Sequence, residues 1–311
     1  MKVHLSDITA AEVANRLEEA RTNTGSALGR VLTLVIQVPG EAAVEAALDA
    51  AESASHSHPC RVIVLVPDTS GEDGTASLSA EIRVGADAGM SEVAILRPRG
   101  EADRHRDTLV LPLLLPDTHV VVWWFAAAPA SPSTDPVGQL ATRRITTSIA
   151  NPLPVPLLEG LAASYSPGDT DLAWAGCTLW RAYLAAMLDE PPHLPVTSVE
   201  VVGSFDHAST YLLASWLGLC FNVRVTVRPS AGFGVEKVVM TREDGELIME
   251  RKVGESMARL QRPGRTDLQV RLDPRTMDHM LIEDLQRMSG DDMYGDVLRA
   301  FTTGNTIDVV S

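Results

Sequence analysis

Only three cysteines occur in the 311 residues, Cys60, Cys177 and Cys220, and they lie far apart. So few and so widely spaced, they do not suggest a disulfide framework; free, mostly buried thiols in a reducing compartment are expected instead. Long apolar runs are missing too, none approaching the roughly 18 residues of a membrane-spanning helix. The opening MKVHLSDITAAEV turns polar at once, which is not the pattern of a secretory signal. Positive charge is scarce. Twenty-six Lys and Arg stand against 41 Asp and Glu, for a net charge of −15 and a pI near 4.9. Such a surface repels phosphate backbones and acidic lipid headgroups, so neither nucleic acid nor membrane is an expected partner. A soluble, cytoplasmic protein is expected.

Chemical motifs are equally sparse. The first apolar run is followed by Val38-Pro39-Gly40-Glu41, with one glycine where a dinucleotide-binding turn needs G-x-G-x-x-G. AGFGVEK (231–237) has two close glycines but lacks the third and the strand-to-helix setting, and reads as a loop. No lysine-bearing phosphate loop and no G-x-S-x-G elbow appear. No cofactor and no catalytic residue is therefore assigned. His56, His58 and Cys60 alternate as residues on one strand face do, a donor set suited to a soft or borderline metal ion. Yet His58-Pro59 is a helix stop that breaks the alternation, and no fourth ligand is near. A helix end is the better reading, and no metal site is assigned.

The apolar residues that are present have a clear grammar. After an opening helix (Ala10 to Arg21), the runs GRVLTLVIQVPG, CRVIVLVP, SEVAILR and HVVVWWF read as buried strands, with EAAVEAALDAAESASHSHP as the helix between the first two. Residues 1–150 are thus expected to form an α/β domain with a mostly parallel, Rossmann-like sheet covered on both faces. The polar DTSGEDGTAS (68–77) reads as a surface loop. Proline-rich stretches at 126–136 and 151–156 set the expected boundary near the second. Residues 151–311 read as an α+β domain. Helical patterns alternate with TSVEVVG and NVRVTVRP, then VEKVVMTR, ELIMERK, MARLQR and DLQVRL follow as an antiparallel meander with a tight turn at Asp244-Gly245. From Phe221 to Arg275 there are eleven Lys and Arg against eight Asp and Glu, a local excess of positive charge in an acidic chain. Alternation on a half-exposed sheet accounts for most of it; a basic face for an acidic partner or an anionic ligand is the sharper alternative.

The stretch SYSPGDTDLAWAGCTLWRAYLAAML (164–188) holds Asp169 and Asp171 next to a dense apolar pattern. A turn before the acids and a helical pattern after them favour Asp169 as a helix cap, with Asp171 in the first turn, over a metal-binding acid pair. That helix is apolar nearly all round, with Trp174, Trp180 and Arg181 among its residues, so it is either a central core helix or shared with a partner. Arg181 then requires an acid or an anion. Trp123-Trp124 ends a buried strand. Neighbours on a strand point to opposite sides, so one is expected inside and the other towards a surface. Arg143-Arg144 reads as a solvated pair that lies near that edge. Trp and Arg are the side chains that most often anchor interfaces. Trp123, Trp124, Arg143, Arg144, Trp174, Trp180 and Arg181 are accordingly the candidate partner-binding residues.

Several of these stretches, GRVLTLVI, ASHSHPCRVIVL, RVGADAGMSEVAIL, LPLLLPDTHVVVWW, GQLATRRIT and YSPGDTDLAWAGCTLWRAYLAAMLD, resemble in order the actinobacterial glucose-6-phosphate dehydrogenase assembly protein family, OpcA. The resemblance is most specific at PGDTDLAW and LLLPDTHVVVWW, and the meander after Phe221 shares only its pattern. Where the family often carries an acid after RRIT, this chain has Thr147. The resemblance implies a non-enzymatic partner of glucose-6-phosphate dehydrogenase that promotes its active assembly or its affinity for glucose 6-phosphate, in support of NADPH production by the oxidative pentose phosphate pathway. The competing expectation is an enzyme or sensor that binds a sugar phosphate or nucleotide at the crevice of the parallel sheet.

Overall fold

The computed structural model describes residues 2–24, 31–69, 75–85, 92–149, 151–287, 289–302 and 307–310. Residues 70–74 of the expected polar loop lie outside the described residues. The chain divides into two compact units. One comprises Met1–Thr147, Ser166–Thr170 and Met277–Asp291; the other comprises Ser148–Tyr165, Asp171–Thr276 and Asp292–Ser311.

The first unit is organised by an eight-stranded sheet. Its strands are β1 (Lys2–Leu5), β2 (Leu32–Gln37), β3 (Cys60–Leu65), β4 (Ser77–Arg83), β5 (Glu92–Arg99), β6 (His119–Trp124), β7 (Arg143–Thr146) and β8 (Asp169–Asp171), in the order β1-β4-β5-β3-β2-β6-β7-β8. β5, β3, β2, β6 and β7 run parallel. β4 and β1 extend the edge antiparallel. Every residue of β2 and β3 is buried. That is the result of sequence runs with no polar alternation: such strands are stable only where both sheet faces are covered. Val13, Leu17 and Ala20 of the helix Ala10–Thr24 pack with Ile63, Leu65 and Ile82 on one face. The helix Val44–Ser55 links β2 to β3 and packs against the helix Met277–Leu285. Each fully buried Val, Leu or Ile contributes about 1.5–3 kcal/mol, so this core dominates the unit's stability.

The second unit has a seven-stranded sheet: β9 (Ser198–Gly203), β10 (Val225–Pro229), β11 (Val235–Arg242), β12 (Gly245–Glu250), β13 (Met257–Gln261), β14 (Leu268–Arg271) and β15 (Ile307–Val309), in the order β14-β13-β12-β11-β9-β10-β15. The meander β11 to β14 is antiparallel throughout, and its first turn uses Gly245 at φ 130. β9, β10 and β15 are parallel, with the helix Ala208–Phe221 as the crossover from β9 to β10. Val201, Val238, Met240 and Met249 meet Trp180, Leu184, Leu213 and Leu217 of the helices Thr178–Asp189 and Ala208–Phe221 on one face of this sheet. The protein is therefore mixed α/β with two sheets, the larger one mostly parallel. Among the described residues, no helix is long and apolar enough to cross a membrane.

Candidate functional site

The motifs singled out in the sequence meet in each unit as buried networks. In the first unit, Trp123 and Trp124 end β6 and point to opposite faces, but both are buried, at 0% and 3% exposure. The expectation that one of them reaches a surface is corrected: the sheet is covered on both sides at this point. The Trp123 indole N–H donates to the Thr147 hydroxyl oxygen at 2.8 Å, and the Thr147 hydroxyl donates to the Trp124 carbonyl at 2.9 Å. Thr147, where the family often has an acid, is thus the residue that satisfies the buried indole. Trp124 packs with Val122, Leu113 and Val137.

Arg143 and Arg144 are not a solvated pair. Both are buried, at 2% and 7% exposure, and each is paired with a carboxylate. Arg143 donates through Nε and Nη2 to Asp284 Oδ1 at 2.9 and 2.8 Å, and through Nη1 to the Ser289 carbonyl at 2.5 Å. Asp284 Oδ2 accepts from the Thr170 hydroxyl at 3.0 Å, so both carboxylate oxygens are engaged. Burial raises the Asp284 carboxyl above its ordinary pKa, against the pull of Arg143 and Thr170. Arg144 pairs with Asp169 and donates to the carbonyls of Ala141 and Pro167 at 3.1 and 2.6 Å. Asp169 Oδ2 accepts from the Ser166 N–H at 2.8 Å, and burial pushes its carboxyl upward in the same way. Gly168 sits at φ +95 with its α-carbon side pressed on Thr142: a Cβ there would lie 2.6 Å from the Thr142 carbonyl oxygen. This is the physical content of the PGD sequence, a left-handed glycine that brings Asp169 to Arg144.

The helix cap is Asp171, not Asp169. Asp169–Asp171 forms the short strand β8, and the helix begins one residue later, at Leu172. The Asp171 carboxylate accepts from the Ala173 N–H at 2.8 Å and from the Ser148 hydroxyl at 2.6 Å. The long helical pattern is divided into Leu172–Gly176 and Thr178–Asp189, with Cys177 between them. Trp174 and Trp180 are buried core residues of the second unit. Arg181 lies over the Trp174 ring at 3.5 Å and donates to the Thr178 hydroxyl at 2.8 Å. The aromatic face, with its negative quadrupole, is a favourable neighbour for that guanidinium. The Cys177 thiol is fully buried and its pKa is pushed up to about 11 by desolvation, so it stays protonated. His56 lies just past a helix end, where its Nδ1–H donates to the Glu52 carbonyl at 2.9 Å. Among the described residues, no group of three or more His, Cys, Asp and Glu is arranged to hold a metal ion.

Two functional partners escaped the sequence reading. Asp284 is 141 residues from Arg143, yet it had a local signal: it falls four residues after Met280 on the buried stripe of the helix Met277–Leu285. An acid on an apolar stripe implies a buried cation. His207, buried at 6% exposure, caps the helix Ala208–Phe221 by accepting from the Ser209 N–H at 3.3 Å. Histidine is not a usual cap, and nothing in its neighbourhood announced the role.

A fold of two mixed α/β units, with its most distinctive aromatic and charged residues sunk into packing networks, defines the class of protein. Residues 51–163 match the family profile described as the glucose-6-phosphate dehydrogenase subunit N-terminal domain, and residues 167–298 match that of the C-terminal domain. The chain belongs to the OpcA glucose-6-phosphate dehydrogenase assembly family. Comparison with curated proteins gives no match. Among solved structures, the chain is similar to a glucose-6-phosphate 1-dehydrogenase from Mycobacterium avium, with 10% identity over 89% of this chain and 93% of that one and a TM-score of 0.45. It is also similar to a putative oxidoreductase from Bacillus subtilis (9% identity, 88% and 97% of the two chains, TM-score 0.39). A Thermotoga maritima oxidoreductase gives comparable figures (11% identity, 88% and 94%, TM-score 0.39). Likeness at this level implies nothing about chemistry.

Proposed function

We propose that this chain is a non-catalytic partner of glucose-6-phosphate dehydrogenase, acting in the cytoplasm to promote the enzyme's assembly or activation and so to support NADPH production by the oxidative pentose phosphate pathway. The observation that carries this reading is the match of both family domains, in order, over most of the chain. The chemistry of the buried networks agrees with it. Asp169 and Asp284 are each closed off from solvent against an arginine, so neither is placed to exchange a proton with a bound molecule. We read the larger sheet as Rossmann-like in topology but without a glycine-rich turn after β2, where a dinucleotide would need one. The candidate residues Trp123, Trp124, Arg143, Arg144, Trp174, Trp180 and Arg181 then support partner binding only indirectly, by keeping the chain folded.

An activator must bind the competent state of its target better than the inactive one. Mixing the purified chain with the dehydrogenase of the same organism should therefore give co-purification and a raised rate, or a stronger response to glucose 6-phosphate. The chain alone should show no turnover. Turnover by the chain alone, or a dehydrogenase indifferent to it, would overturn the proposal. A thermal shift with glucose 6-phosphate in the absence of the dehydrogenase would instead favour a metabolite-binding role.

A further inference from the structure

The seven-stranded sheet of the second unit has two unlike faces. Val238, Met240, Leu247 and Met249 of β11 and β12 point into the core beneath the helices. The alternate residues of the same hairpin, Lys237, Val239, Thr241, Glu246, Ile248 and Glu250, point the other way. None of these six packs in the cluster beneath the helices to which Val238, Met240, Leu247 and Met249 belong. Val239 is buried, at 9% exposure, Lys237, Thr241, Ile248 and Glu250 are partly exposed, and Glu246 is exposed. Flanking charges on this face are satisfied within the chain, Arg228 by Glu200 and Arg259 by Asp267. Lys237 and Glu250 are not: among the described residues neither has an ion-pair partner within 4.0 Å, although they are register partners across the hairpin.

The register supplies a self-complementary pattern. Lys237 stands beside Glu250, Val239 beside Ile248 and Thr241 beside Glu246. We propose that a second copy of this chain docks on this face, sheet to sheet, about a twofold axis that runs along the β11–β12 hairpin. Such an axis sets each β11 residue over its own register partner in the second copy. Lys237 of each copy meets Glu250 of the other, Val239 meets Ile248, and Thr241 meets Glu246. One hairpin thereby yields two ion pairs at one end, with the Val239–Ile248 contacts next to them, the isologous arrangement that closes a dimer. The five strands β9 to β13 are five to eight residues long. At about 4.8 Å between strands and about 3.3 Å per residue, these five strands span roughly 500 Å², the scale of a small interface beside the about 800 Å² per partner of a standard one.

Sedimentation equilibrium of the full chain tests this directly. The expected mass at micromolar concentrations is twice 33.4 kDa. Lys237→Glu and Glu250→Lys should each weaken the dimer by about tenfold or more, because like charges then meet across the axis. An equimolar mixture of the two variants should recover it, since the new Glu of one meets the new Lys of the other. Mixing cannot repair a defect inside a single hairpin, so recovery separates docking from folding. If a swap loses its circular dichroism spectrum, Lys237→Met and Glu250→Gln replace it, and each should still weaken the dimer. A monomeric wild-type chain, swaps without effect, or a mixture that does not recover would overturn the proposal. A monomeric chain whose swaps abolish co-purification with the dehydrogenase would assign the face to that enzyme instead.

Discussion

A neutral imidazole holds the start of the helix Ala208–Phe221. His207 Nδ1 accepts a backbone N–H, which a protonated ring cannot do. Burial lowers its pKa from the usual 6.5 to about 4, against the opposing pull of Asp206. Between those two values the unfolded chain binds the proton and the folded chain does not, so stability rises with pH through this window. The contribution is fully present above pH 6.5 and is lost as pH falls towards 4, by up to about 3 kcal/mol. The melting temperature should drop between pH 7 and pH 5, and His207→Asn, which still caps, should flatten that drop. An unchanged pH profile in the variant would show that His207 is not the titrating group. Nothing in the sequence of this residue revealed its role, because the shift comes from burial under Phe233, whose ring meets the imidazole edge-on with centroids 4.4 Å apart. For Trp174 and Trp180, helix spacing allowed either a core or a shared helix, and both are buried.

At the scale of elements, what could be read depended on length and on company. β2, β3 and β6 are six residues long and mostly apolar, with Thr33, Gln37, Arg61 and His119 as the exceptions, and the sequence alone places them as buried parallel strands. β7 and β8 have four and three residues, RRIT and DTD, with charges that a buried strand excludes unless partners arrive from afar. Those partners are tertiary, so local pattern had no access to them. The same limit misled the reading of Trp123-Trp124: alternation correctly gave opposite sides, but not that both sides are covered. Alanine at either position should therefore cost about 3–5 kcal/mol, as truncation of a core aromatic does, and leave dehydrogenase activation per folded molecule unchanged. Chemical denaturation paired with titration of the dehydrogenase measures both quantities. A variant that folds normally yet fails to activate would return this strand end to the candidate surfaces.

For the whole molecule, the first unit is assembled from three separate segments, 1–147, 166–170 and 277–291. The two later segments carry Asp169 and Asp284, the carboxylates of Arg144 and Arg143. Residues 1–150 expressed alone would bury two guanidiniums without them. Removing one partner from a buried pair costs about 3–5 kcal/mol, so losing both is comparable with the entire stability of a typical domain, about 5–15 kcal/mol. The fragment should be unfolded or aggregated by circular dichroism and gel filtration, and Arg143→Met with Arg144→Met should recover part of its structure. A fragment that folds as well as the full chain would show that the ion pairs are dispensable. Late closure also has a consequence in time. A ribosome adding about 5–20 residues per second takes roughly 7–30 s to travel from Thr147 to Asp291, so the nascent chain waits that long with its larger sheet unsealed. During that wait the cell's chaperones, rather than the finished fold, must keep the apolar strands from meeting other chains.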